Sequence, residues 1–223
     1  MNRFSALYLL GYTILFILMV YLMLSYPKAE LHLLLNSNHT PCQDSFFHYY
    51  SVLAEWPLYV IALVPVFFGR WRWTCFYAVA EISSALIVQI VKFCHPLLRP
   101  VSFFAKWYPD VQLPLVSGVT IHHNASFPSG HSSTFFVFFT FSVMLLSQYY
   151  LSHQRKSLYL LSSCWRMFLV LFLLLFATLG GYSRIYLSQH FLMDVCVGSL
   201  CGVVSSCVVF LFFQERITNS NEA

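Results

Sequence analysis

Runs of apolar residues broken by short polar joints set the rhythm of this chain, and six of them read as bilayer spans. They fall at Ala6–Tyr26, Pro57–Gly69, Trp73–Phe93, Ser129–Tyr150, Met167–Tyr182 and Phe191–Phe213. A spanning helix needs roughly 20 mainly apolar residues to match the hydrocarbon core. The second run is short, so it borrows Val52 to Trp56 or lies tilted, with Pro57 at its start and Pro65 at a kink. The first ends in Tyr26-Pro27-Lys28 without a small-x-small cleavage site, and reads as a retained helix. The expectation is an all-α, six-transmembrane-helix bundle in one domain over 1–213, followed by a polar cytoplasmic tail at 214–223.

Two joints are long. Lys28 to Trp56 carries the Leu31 to Leu35 turn and the aromatics Phe46, Phe47, Tyr49 and Tyr50, a mixture that suits interfacial helices on the outer face. His95 to Phe127 exceeds an ordinary loop and reads as a functional mouth. Lys and Arg set the orientation. Arg3, Arg70, Arg72, Arg155, Lys156, Arg166 and Arg216 fall on one side, which is therefore the cytoplasmic one, with both termini. The opposite cations are Lys28, Lys92, Arg99, Lys106 and Arg184, several of which belong to the motifs below.

Composition agrees with a lipid environment. The chain is 59% apolar and 9% charged, against roughly 25% charged in soluble domains. The net charge of +4 is scattered, and no basic run interleaved with aromatics points to nucleic acid. The seven cysteines show no CxxC spacing, and most lie in or beside apolar runs as small buried hydrophobes. Only Cys42 and Cys94 flank outer segments where a bridge is conceivable.

Three polar stretches stand at matching ends of these spans. Lys92 to Pro100 reads K-F-C-H-P-L-L-R-P, Pro128 to His131 reads P-S-G-H, and Ser183 to Asp194 reads S-R-I-Y-L-S-Q-H-F-L-M-D. With alternating helix directions all three converge on the outer face. Arg99 and Arg184 can each grip two phosphate oxygens through a planar fork, and Lys92 adds a point charge. Ser129 and Gly130 at a helix start offer backbone N–H groups and a hydroxyl to an anion. His190 and Asp194 are four apart and share a helical face, so the carboxylate can fix the tautomer of a nucleophilic imidazole. His131 is the acid for the leaving oxygen and then the base for water. No step calls for a metal or another cofactor. Taken singly, these groups also read as snorkelling cations, a capped helix start and a structural i,i+4 pair; their convergence argues for chemistry.

The stretches are similar, position for position, to the signature of the type 2 phosphatidic acid phosphatase family: K-x6-R-P, P-S-G-H and S-R-x5-H-x3-D. The resemblance implies a helical bundle in which His190 is phosphorylated, His131 is the acid, and lipid phosphates or diphosphates are hydrolysed without metal outside the cytoplasm. The substrate expected is a polyprenyl diphosphate such as undecaprenyl diphosphate, because the chain carries no extra domain for a sugar headgroup. Lipid A phosphate, phosphatidylglycerol phosphate and transfer to a second lipid stand as alternatives, and a transporter or scaffold as the non-enzyme reading. The expected setting is a bacterial inner membrane with the site on the periplasmic face. The partners expected are the bilayer and the lipid substrate, with no nucleic acid and no obligatory protein.

His122, His123 and Asn124 are candidates for the substrate mouth. Glu81 is an intramembrane acid about 16 Å along its helix from Lys92, too far to share a phosphate, and is expected to pair with a neighbouring helix or to stay protonated.

Overall fold

The computed structural model describes residues 3–153 and 163–218, with side chains over 4–148 and 165–212. Within them the chain is helical throughout. α1 is Arg3–Ser25, α2 Lys28–Leu35, α3 Pro41–Val52, α4 Pro57–Ile61 and α5 Val64–Phe67. α6 is Trp71–Cys94, α7 Pro100–Trp107, α8 Gly130–His153, α9 Ser163–Tyr186 and α10 Leu192–Thr218.

Five stretches are long and apolar enough to cross a membrane: Phe4–Ser25, Trp71–Cys94, Gly130–Gln148, Trp165–Tyr186 and Leu192–Phe212. The sixth span, expected over Pro57–Gly69, is not one long helix: with α3, placed in the interface by the sequence, it makes a bent pair that counts as a sixth span only when taken together. Pro41–Val52 and Pro57–Phe67 form a pair bent by 53°, because a residue before proline is pushed out of the helical region and the proline amide cannot bond backwards. The kink at Pro65 is in turn the gap between α4 and α5. Of the orienting cations, Arg155 and Lys156 lie outside the described residues; of the tail expected at 214–223, positions 214–218 continue α10 and 219–223 lie outside the described residues.

α8 is the central helix: 61% of its most apolar window is buried, against 17% for α1. It carries little that would favour lipid over protein, being rich in Ser and Thr with an aromatic stripe. Phe135, Phe136 and Phe139 pack against Tyr8, Tyr12, Tyr50, Val170, Leu174 and Ala177. On its other side Val137 and Phe141 meet Trp73, Phe76 and Tyr77 of α6. The aromatic run from Phe135 to Phe141 is therefore largely core.

α8 and α10 approach closely through Gly198 and Gly202. A Cβ on either would strike a backbone carbonyl of α8, that of Ser129 or of Ser133. Small residues four apart let two helices touch backbone to backbone, which compensates for the missing hydrophobic drive inside lipid. Ser84 of α6 and Ser133 of α8 then share a hydrogen bond of 2.5 Å.

Glu81 finds its partners across the bundle. Its Oε1 accepts from Thr134 of α8 at 2.6 Å and from Tyr59 of α4 at 3.2 Å. This is the neighbouring-helix pairing expected of it.

The helix directions bring the three motifs to one end. Met19 near the end of α1 packs with Leu31, Ile185 and Leu192, while Ser5 at its start bonds Ser147 late in α8 at 3.1 Å. The start of α1 and the far end of α10 therefore lie opposite the motif end.

Candidate active site

The turn between α9 and α10 is where the third motif takes shape. Gln189 and His190 both donate their backbone N–H to the carbonyl of Arg184, at 2.9 and 3.0 Å. This closes the helix in the manner of a C-terminal cap, with Ser188 in the left-handed region at φ 51°. A serine there is costly compared with glycine, and Asn36 holds it, donating Nδ2 to Ser188 Oγ at 2.7 Å. The fold-back sets His190 against the arginine six residues before it.

α10 begins at Leu192, so His190 stands just outside the helix and the i,i+4 pair is not a pair on a helical face. Asp194 still reaches it, because the carboxylate turns back across the helix start. Its Oδ2 lies 3.4 Å from His190 Nδ1 and accepts the Phe191 backbone N–H at 2.9 Å. Ser126 Oγ donates to the same oxygen. Asp194 thus caps α10 as the acidic member of a capping box and orients the imidazole at once. Burial pushes the His190 ring down to about 4, opposed by Asp194 and assisted by Arg184 and Arg99. At neutral pH the ring is therefore uncharged, and Nε2 makes no hydrogen bond among the described residues.

The cations are held from several directions. Arg99 is buried and donates Nε to the Asn124 carbonyl at 3.1 Å, and Nη1 to Gln189 Oε1 at 3.0 Å and its carbonyl at 3.3 Å. Its own amide donates to the His123 carbonyl at 3.1 Å. Burial lowers the affinity of this guanidinium for its proton, an effect that Asp194 offsets. Arg184 is buried too; Nη1 donates to Ser51 Oγ of α3, and Nε has no hydrogen-bond partner. Lys92 at the end of α6 is half-buried, within electrostatic reach of Arg99, Asp194 and Arg184.

The P-S-G-H stretch behaves partly as expected. Ser129 is fully buried; its amide donates to the Asp194 carbonyl at 2.9 Å, and its hydroxyl accepts from the Ser132 amide at 3.3 Å and Ser132 Oγ at 2.9 Å. It is the N-cap of α8, and its amide serves the protein, unlike the expected anion contact; its hydroxyl accepts in both bonds and keeps its own proton to donate. Gly130 opens the first turn, where an amide has no carbonyl one turn back to bond.

Of the cations, Arg184 borders a cavity of about 380 Å³, lined also by Ser51, Glu55, His122, His131 and Gln189. His131 Nε2 has no hydrogen-bond partner there, and Glu55 Oε1 lies 3.6 Å from it. His122 is exposed at the rim, and burial together with Arg99, Arg184 and Lys92 lowers its proton affinity. His123 bonds Ser102 at 3.0 Å, and its carbonyl and that of Asn124 hold Arg99. Of the three mouth candidates, then, His122 lines the cavity, while His123 and Asn124 act on it through Arg99.

Four residues that sequence reasoning passed over complete the arrangement: Ser51, Glu55, Ser126 and Gln189. None belongs to a spacing pattern with its partner, and only Gln189, between Arg184 and His190 in the third motif, had a signal. Cys42 and Cys94 are both free and exposed.

The PAP2 superfamily profile matches residues 73–218, the stretch that holds all three motifs. Dolichyldiphosphatase 1 of Homo sapiens is 36% identical over 91 residues, which is 41% of this chain and 37% of that protein. Dolichyldiphosphatase 1 of Mus musculus is 35% identical over a stretch covering the same shares. The chain thus matches well under half the length of these relatives. The crystal structure of Aquifex aeolicus LpxE aligns with a TM-score of 0.60 at 27% identity, covering 81% of this chain and 93% of that one.

Proposed function

Since the chain belongs to the PAP2 superfamily, we propose that it hydrolyses a lipid phosphate or diphosphate at the motif end of the bundle, through a phospho-histidine and without metal. The observation that carries the reading is the Asp194-oriented His190 within electrostatic reach of Arg184 and Arg99, next to a cavity that Arg184 and His131 line. A binder of phosphate needs the cations but has no use for an oriented imidazole facing an unpartnered histidine across the site.

In this reading His190 Nε2 attacks phosphorus while Arg99, Arg184, Lys92 and the Gly130 amide bind the peripheral oxygens, where charge builds up. The bond from phosphorus to the leaving oxygen breaks, its electron pair stays on that oxygen, and His131 supplies the proton. His131 then removes a proton from water, whose oxygen attacks phosphorus. Inorganic phosphate leaves and His190 is restored. Asp194 stabilises the positive charge that forms on His190.

A polyprenyl diphosphate is the substrate class we propose, supported by the similarity to dolichyldiphosphatases across the motif region. The site faces the periplasm if the membrane is a bacterial inner membrane, and a lumen if it is that of an organelle. The test is phosphate release by the purified protein, beside His190→Ala. Substrates are undecaprenyl and dolichyl diphosphates, phosphatidylglycerol phosphate, phosphatidate and a phosphorylated lipid A. Release that is highest on the polyprenyl diphosphates and lost by about 10⁴-fold or more in the variant is expected. Full activity in His190→Ala overturns the mechanism. Labelled phosphate passed to an acceptor lipid instead of water makes the protein a phosphotransferase.

A further inference from the structure

Glu55 is the acid that the sequence motifs leave out. It sits in the turn between α3 and α4, its amide bonded to the Val52 carbonyl at 2.9 Å, two residues before Pro57. Pro57 prevents α3 from running on, and the bend it causes brings Glu55 to the cavity wall. There its Oε1 lies 3.6 Å from His131 Nε2, which is buried and otherwise unpartnered. It is also within electrostatic reach of Arg184.

The other charges facing His131 are positive or become so on protonation. They are Arg184 on α9, Lys92 on α6, Arg99 before α7, and His190 between α9 and α10. His48 of α3 and His122 border the same cavity. Among the described residues lining the cavity, Glu55 is the carboxylate.

We infer that Glu55 is a positioning residue for the reaction proposed above, pairing with the proton-bearing form of His131 and keeping it ready for the leaving oxygen. The inference rests on that functional reading. Glu55 exchanges no bond with substrate. Its carboxylate is about half exposed, so its effect is smaller than that of a buried pair. A proton donor matters most when the leaving oxygen is a strongly basic alkoxide, and least when it is a weakly basic phenoxide. That difference separates this role from a merely structural one.

The experiment compares wild type, Glu55→Gln and Glu55→Asp in detergent, on an alkyl phosphate monoester and on its 4-nitrophenyl counterpart. Glu55→Gln is expected to lose about tenfold in kcat on the alkyl ester and about twofold or less on the nitrophenyl ester, a fraction of what general acid catalysis supplies. Glu55→Asp should restore part of the alkyl rate. An equal loss on both esters, or no loss on either, overturns the inference and leaves the enzyme reading in place. A wild type that turns over no phosphate ester overturns both.

Discussion

Ser126 and Asp194, 68 positions apart in the chain, meet in the site: the serine hydroxyl donates to Oδ2, the same oxygen that faces His190 Nδ1. The serine ends the loop after α7, two residues before Pro128, and its own amide is tied to the Leu97 carbonyl at 2.9 Å. The carboxylate that orients the nucleophile is thereby fixed from the loop of the first motif as well as from its own helix. A hydrogen bond to a charged group contributes about 1.5–3 kcal/mol, so Ser126→Ala should lower kcat by about tenfold or more. Phosphate release with unchanged thermal stability would confirm that the loss lies in orientation. A wild-type rate would show that the Phe191 amide alone is enough.

The pH dependence follows from the two buried histidines outside the spans. Burial holds His190 and His32 at about 4, well below the roughly 6.5 of an exposed ring. Between those values the unfolded chain binds more protons than the folded one, so stability rises with pH across that window. The stabilisation is complete above about pH 6.5 and disappears as pH falls through about 4. Thermal unfolding in detergent should show a midpoint that falls across this range, with a smaller fall in His32→Phe. The acid limb of the activity profile should follow the neutral fraction of His190 and fall only as pH approaches about 4, while loss of the proton on His131 sets the alkaline limb. An acid limb that falls near the roughly 6.5 of an exposed ring, with the protein still folded, would argue against a buried neutral imidazole nucleophile.

In the proposed mechanism, positive charge for the phosphate comes from Arg99, Arg184 and Lys92. A chelator in excess should therefore leave the initial rate unchanged within about twofold, an order-of-magnitude reading of charge already in place. A strong loss restored by one divalent cation would require a different site chemistry.

Gly198→Ala tests the packing that supports the site. The added methyl meets the carbonyl of Ser129, whose amide holds Asp194 and whose side chain caps α8. A backbone carbonyl cannot swing aside as a side-chain tip can. Overpacking of this kind costs about 1–3 kcal/mol, and the displaced cap should lower activity as well. Unfolding temperature and phosphate release should drop together, whereas substitution of lipid-facing Leu211 should change neither.

The relation between sequence and structure differs from residue to residue. Lys92, Arg99, His131, Arg184, His190 and Asp194 were visible because each stands at the end of an apolar run, where chemistry and a change of polarity coincide. Glu81 was also legible, since an acid amid apolar residues needs a partner, and Thr134 and Tyr59 supply it. At Ser129 the place at a helix start suits both anion binding and capping, and the approach of the Asp194 carbonyl takes the amide for the protein.

By itself the sequence determined the all-helical membrane bundle, five of its spans, and the shared end on which the motifs lie. Those follow from local hydrophobic length and from the alternation of direction, which need no knowledge of neighbours. Tertiary structure decided the rest. It split the sixth span at Pro57, and it put His190 outside α10. It joined Arg99 to Gln189 across 90 positions and Arg184 to Ser51 across 133, and it set Glu55 against His131. Such contacts depend on how helices pack at their glycine and aromatic faces, and hydrogen bonds over those separations leave no periodic trace in the chain.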